Sequence, residues 1–148
     1  MTRRDWITVI VILLLVSMLS NALKRGTKWE KLNALHSSVR RSFFNFLQDI
    51  ERAGYRVSII SAKRSFQEQK ILKEEDPRNA SPGTSTHEYG TGIDILVYAP
   101  SGKRLGKHSP RAEWIASGIP QLAKAYGMRW GGNFKGYADN NHFDYLFT

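Results

Sequence analysis

The sequence predicts a small α+β domain, with helices packed on an antiparallel sheet, preceded by one N-terminal transmembrane helix. Three observations carry this. Trp6–Leu23 is an apolar run without a charge. A long stripe of apolar residues then recurs at three- and four-residue spacing. After it, short β-rich segments alternate with helical ones, separated by Gly and Pro.

The N-terminal run, WITVIVILLLVSMLSNAL, is bounded by Asp5 and Lys24. Its eighteen residues would make a helix of roughly 27 Å, near the ~30 Å of a hydrocarbon core. It is apolar all round rather than on one face, which separates it from a buried core helix. Ser20-Asn21-Ala22 offers small residues where a signal peptidase would read. The apolar run reaches almost to that point, so an uncleaved anchor is preferred. Residues 1–23 are therefore read as the membrane segment, 24–28 as a tether with Gly26, and 29–148 as the body. Basic residues stand on both sides of the segment, so charge does not fix its orientation.

In the body, Trp29, Leu32, Leu35, Val39, Phe43, Leu47 and Ile50 predict one amphipathic helix from about 28 to 53, ended by Gly54. His36 lies off its stripe. Residues 55–62 (YRVSIISA) alternate and read as a strand. Ser65 caps a helix to about Glu75, stopped near Pro77. Residues 76–85 are a polar loop. Residues 92–99 read as a buried strand, and Ser101-Gly102 as a turn into a second short one. Residues 110–126 are helical with an interruption at 118–120. Residues 128–130 and 142–146 are the last two short strands.

The 148 residues leave room for one hydrophobic core, and the net charge is +9. Such a balance suits an anionic partner, but the basic residues are scattered and no nucleic-acid motif occurs, so nucleic acid is not expected. There is no cysteine, which excludes disulfides and thiolate metal sites.

The chemistry sits in Ser85-Thr86-His87-Glu88-Tyr89-Gly90-Thr91-Gly92-Ile93-Asp94 and in Asp139-Asn140-Asn141-His142. His87, Asp94 and His142 each lie at a predicted strand edge, and a carboxylate beside Ile93, Ile95 and Leu96 needs a partner. Two histidines and a carboxylate can close three sides of a zinc (Zn2+) tetrahedron and leave the fourth open for catalysis. Asp139 is placed to take a proton from water. Glu88 and Asp144 are rival acids. Glu88 would point away from the metal, whereas Asp144 shares a strand face with His142.

These blocks resemble one family. Ser85-x-His87-x-x-Gly90-x-x-x-Asp94, Trp130-Gly131-Gly132-Asn133-Phe134, Asp139-x-x-His142-Phe143 and Arg64-Ser65-Phe66-x-Glu68-Gln69 resemble the zinc peptidases that cut peptidoglycan stem peptides. That family holds D-alanyl-D-alanine carboxypeptidases and the L-alanyl-D-glutamate endopeptidases of bacteriophage endolysins. The resemblance implies that His87, Asp94 and His142 bind zinc and that Asp139 is the general base and then acid. It implies that Arg64 and Ser85 lie near bound substrate, with Arg64 on the oxyanion or on a stem-peptide carboxylate. The chain departs from the pattern at Gly92, where Ala is common and Gly is expected to loosen the turn. It departs again at Asn133-Phe134, in place of Asp-Trp.

The expectation is a zinc endopeptidase of the endolysin kind, cutting the L-Ala–D-Glu bond of stem peptides as a monomer. It would sit in the host inner membrane through residues 6–23, its catalytic domain facing the periplasm and wall. The rivals are a D-Ala-D-Ala carboxypeptidase of the same chemistry and a non-catalytic wall-binding module.

Overall fold

The structure, a computed structural model, describes residues 3–146, with residues 3–5 and 20–26 described by their helical backbone alone. The chain divides after Glu30 into two compact units.

The first unit is formed by the greater part of helix α1 (Arg3–Ala34). The expected tether over 24–28 is helical backbone. The side chains of Trp6–Leu19 are exposed, and the remainder of the expected apolar run, 20–23, lies outside the described side chains. No helix among the described residues is long and apolar enough to cross a membrane, so the expected spanning segment is not supported.

The second unit begins at Lys31. Leu32 and Leu35 enter its core, and α2 (Ser37–Arg52) continues their stripe through Val39, Phe43, Phe46, Leu47 and Ile50. The single helix expected over 28–53 is thus two. His36 caps α2, its ring nitrogen accepting from the Ser38 amide, while its own N–H donates 2.9 Å to the Gly90 carbonyl. That long-range bond takes the His36 donor out of the helical ladder and ties the break to the loop before the site. Trp29, expected in the stripe, is 48% exposed.

Gly54, at φ 91°, turns the chain into β1 (Arg56–Ser61), where Val57 and Ile59 alternate inward. Helix α3 (Phe66–Glu75) starts at a reciprocal capping box between Ser65 and Glu68. Strand β2 (Gly92–Tyr98) is central. The sheet order is β1-β2-β5-β4, with β5 at His142–Asp144, β4 at Arg129–Trp130, and a short β3 (Arg104–Leu105) also on β2. All pairings are antiparallel. Helices α4 (Arg111–Ala116) and α5 (Ile119–Ala125) precede β4.

Strand alternation gives the sheet two chemistries. Ile93, Ile95, Val97 and Phe143 are fully buried in the core with Phe43, Phe46, Trp114 and Ala123. The Phe46 and Phe143 rings pack 5.3 Å apart, and Trp114 lies 5.9 Å from Phe143. Asp94, His142 and Asp144 alternate with those residues and so belong to the opposite face.

Candidate metal centre

The β2–β5 register sets Asp94 directly opposite His142, and Gly92 opposite Asp144. The β1–β2 register slips between Ile59 and Ser61, which brings Ser61 against Asp94. Such irregularities bend a strand and re-aim side chains beside a site. His87 arrives from the loop before β2. Amides there fold back on Ser85, Thr86 and His87 carbonyls, and Gly90 completes the turn at φ 69°.

His87, Asp94 and His142 present ligand atoms within 4.8 Å of one another, a grouping that could hold a metal ion. Nδ1 of His87 lies 2.6 Å from the Ala62 carbonyl. A carbonyl only accepts, so Nδ1 turns its N–H to it, and Nε2 faces Asp94 Oδ1 at 3.3 Å. His142 is turned the other way. Its Nδ1 lies 2.8 Å from Asp94 Oδ1, and its Nε2 lies 3.1 Å from Asp144 Oδ2. Arg129 grips Asp144 with two bonds of 2.8 and 2.6 Å, and the Thr86 hydroxyl donates to the same carboxylate at 3.1 Å.

Both histidines therefore offer one nitrogen inward and anchor the other. That is how metal-binding imidazoles are oriented, and two nitrogens with one carboxylate oxygen suit zinc. The residues fit such an ion on one further observation: Asp139 Oδ1 is buried and has no hydrogen-bond partner.

The charges follow from this packing. Burial alone would raise Asp94, but hydrogen bonds from His142 and His87 hold its carboxyl well below the usual range. Burial works against a charged His142, yet Asp144 and Asp94 outweigh it and lift its pKa to about 9. Asp139 is raised by burial and by the charge of Asp94, against the opposing pull of His142 and Lys107.

Asp139 is positioned by its backbone. Its N–H donates to the Gly131 carbonyl, and its carbonyl accepts from the His142 N–H at 3.1 Å. A Cβ on Gly131 would collide with the Asp139 carbonyl, and one on Gly132 with the Trp130 ring. The double glycine thus makes close approach possible.

The guanidinium of Arg64 is fixed by Gln69 Oε1 at 2.7 Å and Ser61 Oγ at 3.0 Å, and the Arg64 backbone N–H donates to the His87 carbonyl. Ser85 is buried, and its hydroxyl accepts from the His87 N–H at 3.3 Å. The Glu88 carboxylate accepts from the Gly83 and Ser85 amides, and so closes the loop. The expected loosening at Gly92 is corrected: a Cβ there would lie 2.5 Å from Thr86 Oγ1. The hydroxyl that bonds Asp144 fills the space an Ala methyl would need.

Sequence reasoning missed four contributors: Thr86, Arg129, Lys107 and the Ala62 carbonyl. Asp144 appeared only as a rival acid. Its place on the His142 face follows from strand alternation, but its pairing with Arg129 depends on the β4–β5 register, which sets Arg129 opposite Asp144.

Fold and donor set together are those of a metallopeptidase. A family model described as D-alanyl-D-alanine carboxypeptidase matches residues 78–145. Peptidoglycan L-alanyl-D-glutamate endopeptidase CwlK of Bacillus subtilis (strain 168) is 25% identical, over 80% of this chain and 83% of its own length. The crystal structure of Serratia marcescens L-Ala D-Glu endopeptidase ChiX matches with a TM-score of 0.60 at 22% identity, covering 82% of this chain and 87% of that one. Vancomycin resistance D,D-pentapeptidase VanY, solved as an E175A mutant with Zn(II), matches at 0.54 and 16% identity, covering 76% and 73%. The two structures share the fold. The chain is thus similar to D-alanyl-D-alanine carboxypeptidases and L-alanyl-D-glutamate endopeptidases.

Proposed function

We propose that the chain is a zinc L-alanyl-D-glutamate endopeptidase of peptidoglycan stem peptides. The observation that carries this is the His87–Asp94–His142 cluster beside the buried, unpartnered Asp139 Oδ1. CwlK and ChiX, both L-Ala–D-Glu endopeptidases by name, support the choice of bond.

In this reading His87 Nε2, His142 Nδ1 and Asp94 hold the ion. Zinc, when bound, supplies a Lewis acid and makes water acidic near neutral pH. Asp139 accepts the proton of the attacking water and returns it to the leaving amine; its raised pKa suits both tasks. Ser61 and Gln69 hold Arg64 for the developing oxyanion or a stem carboxylate, and Ser85 supports the substrate edge of the loop. Glu88 and Asp144 are already engaged, which favours Asp139 as the base.

The second reading is a carboxypeptidase that removes terminal D-Ala, favoured by the description of the matching family model. Purified peptidoglycan digested by the full chain, with chelator and then restored zinc, separates the two. New D-Glu amino termini that vanish with chelator and return with zinc are expected. Release of free D-Ala would move the activity to the carboxypeptidase. A folded, zinc-loaded chain that cuts nothing would leave a wall-binding module.

We further propose a lytic, endolysin role for a monomer held at the host inner membrane by its N-terminal helix, with the second unit facing the wall. The exposed apolar stretch Trp6–Leu19 supports attachment. Protease protection placing the second unit in the cytoplasm would overturn that topology.

A further inference from the structure

A second binding surface lies against the site and takes no part in the chemistry above. Helices α4 and α5, strand β4 and the 3-10 turn at Gly131–Asn133 border a groove of about 560 Å3. That is the size of a small-ligand or peptide site. Its charged lining is cationic: Arg111, Lys124, Arg129 and Lys135 border it with the neutral Gln121 and Asn133, and no carboxylate among the described residues does. Its aromatic lining is Trp130 and Phe134.

The cations are not equivalent. Arg129 is neutralised by Asp144 and stacks 5.0 Å from the Phe134 ring. Arg111 bonds only neutral acceptors, the Gly132 carbonyl and Asn133 Oδ1, and stacks 5.3 Å from Trp130. Lys124 and Lys135 are exposed, and neither they nor Arg111 pair with a carboxylate among the described residues. Three positive charges thus remain unpaired with any carboxylate among the described residues, and one of them, Arg111, lies over a ring face. The groove joins the site directly, because the Phe134 ring lies 5.8 Å from that of His142.

We infer that this groove binds the carboxylates of a peptidoglycan stem peptide beyond the scissile bond. The inference rests on the proposed substrate. A glutamyl residue joined through one carboxyl carries its other carboxyl free, and a peptide that ends in the groove adds a terminal one. The glycan offers hydroxyls and amides, which do not call for three cations. Ring faces suit the apolar surface of a peptide, and exposed lysines supply attraction without fixed geometry. A phosphate-rich wall polymer carries the same sign, and the test separates it.

The experiment is calorimetric binding to the full zinc-loaded chain. The probes are a purified stem peptide with free carboxylates, the same peptide amidated, and polyglycerol phosphate. The variants are Lys124→Ala/Lys135→Ala together and Arg111→Gln, with metal content as the control for folding. Exposed charge pairs are each worth a few tenths of a kcal/mol to one, so about a five-fold loss of affinity is expected for the double variant. Amidation should cause a similar loss in the unaltered chain, and the double variant should bind the amidated peptide no worse. Equal binding of the free and amidated peptides overturns the proposal. So does tighter binding of polyglycerol phosphate that disappears in the variants. Cleavage is scored separately, so a chain that binds but does not cut rejects the proposed reaction and keeps the groove.

Discussion

Asp139 and His142 show how three residues of sequence separation become a working pair. The turn between them is closed by the His142 N–H on the Asp139 carbonyl, and Gly131 leaves room for it. Asp139→Asn keeps the shape and removes the proposed base. It should lower cleavage by about 10²–10⁴-fold while zinc content, read by elemental analysis, is unchanged. Loss of zinc together with activity would make Asp139 a structural residue instead. His142 carries a second prediction. Its pKa of about 9 in the metal-free chain lies above its ordinary 6.5, so near neutral pH the ring is protonated between Asp94 and Asp144. A metal on Nδ1 must displace that proton. Calorimetry of zinc binding in buffers of different ionisation enthalpy should show about one proton released near pH 7.5 and progressively less above pH 9. The same raised pKa contributes stability to the metal-free chain that is complete below 6.5 and is lost as pH rises through 9. A proton count independent of pH would contradict the Asp94–His142–Asp144 arrangement.

At the scale of elements, the loop before the site is fastened to the helices rather than only to the sheet. Gly90 has φ 69°, its carbonyl accepts from His36, and a Cβ on it would lie 2.9 Å from the His36 nitrogen. Gly90→Ala therefore meets both a left-handed backbone and a backbone contact that cannot give way. A cost of about 1–2 kcal/mol is expected from the conformation alone, read as a thermal midpoint several degrees lower, with weaker zinc binding because His87 moves. An unchanged midpoint would mean that the loop is independent of the α1–α2 junction. The same contact explains what the sequence did and did not reveal. Strand alternation in β1 and β2 and the Ser65–Glu68 cap of α3 are local signals, and each was legible. The break after Ala34 was not, because Leu32, Leu35 and Val39 keep helical spacing across it. There the His36 N–H leaves the ladder for the distant Gly90 carbonyl. The three candidate ligands, which the fold brings together, were legible as residue types in ordered blocks, whereas Thr86 and Arg129 entered through a space and a register that no local pattern displays.

For the whole molecule, the question is what the two units contribute separately. The second holds its own core around Phe43, Phe46, Trp114 and Phe143, together with all three proposed ligands, so its metal affinity should not depend on the first. The first exposes Trp6, Ile10, Leu13, Leu15 and their neighbours, more contiguous apolar side chain than an unpartnered helix surface usually carries. Bilayer attachment would cover it, but the net charge of +9 would also draw the chain to any anionic membrane. Neutral phosphatidylcholine vesicles in high salt remove the second cause and leave the first. Under those conditions the full chain should float with the vesicles, and Leu13→Lys/Leu15→Lys should remain at the bottom of the gradient with zinc affinity intact. Flotation of both forms would assign membrane contact to the second unit. Flotation of neither would remove the bilayer from the account and leave wall attraction to the basic groove.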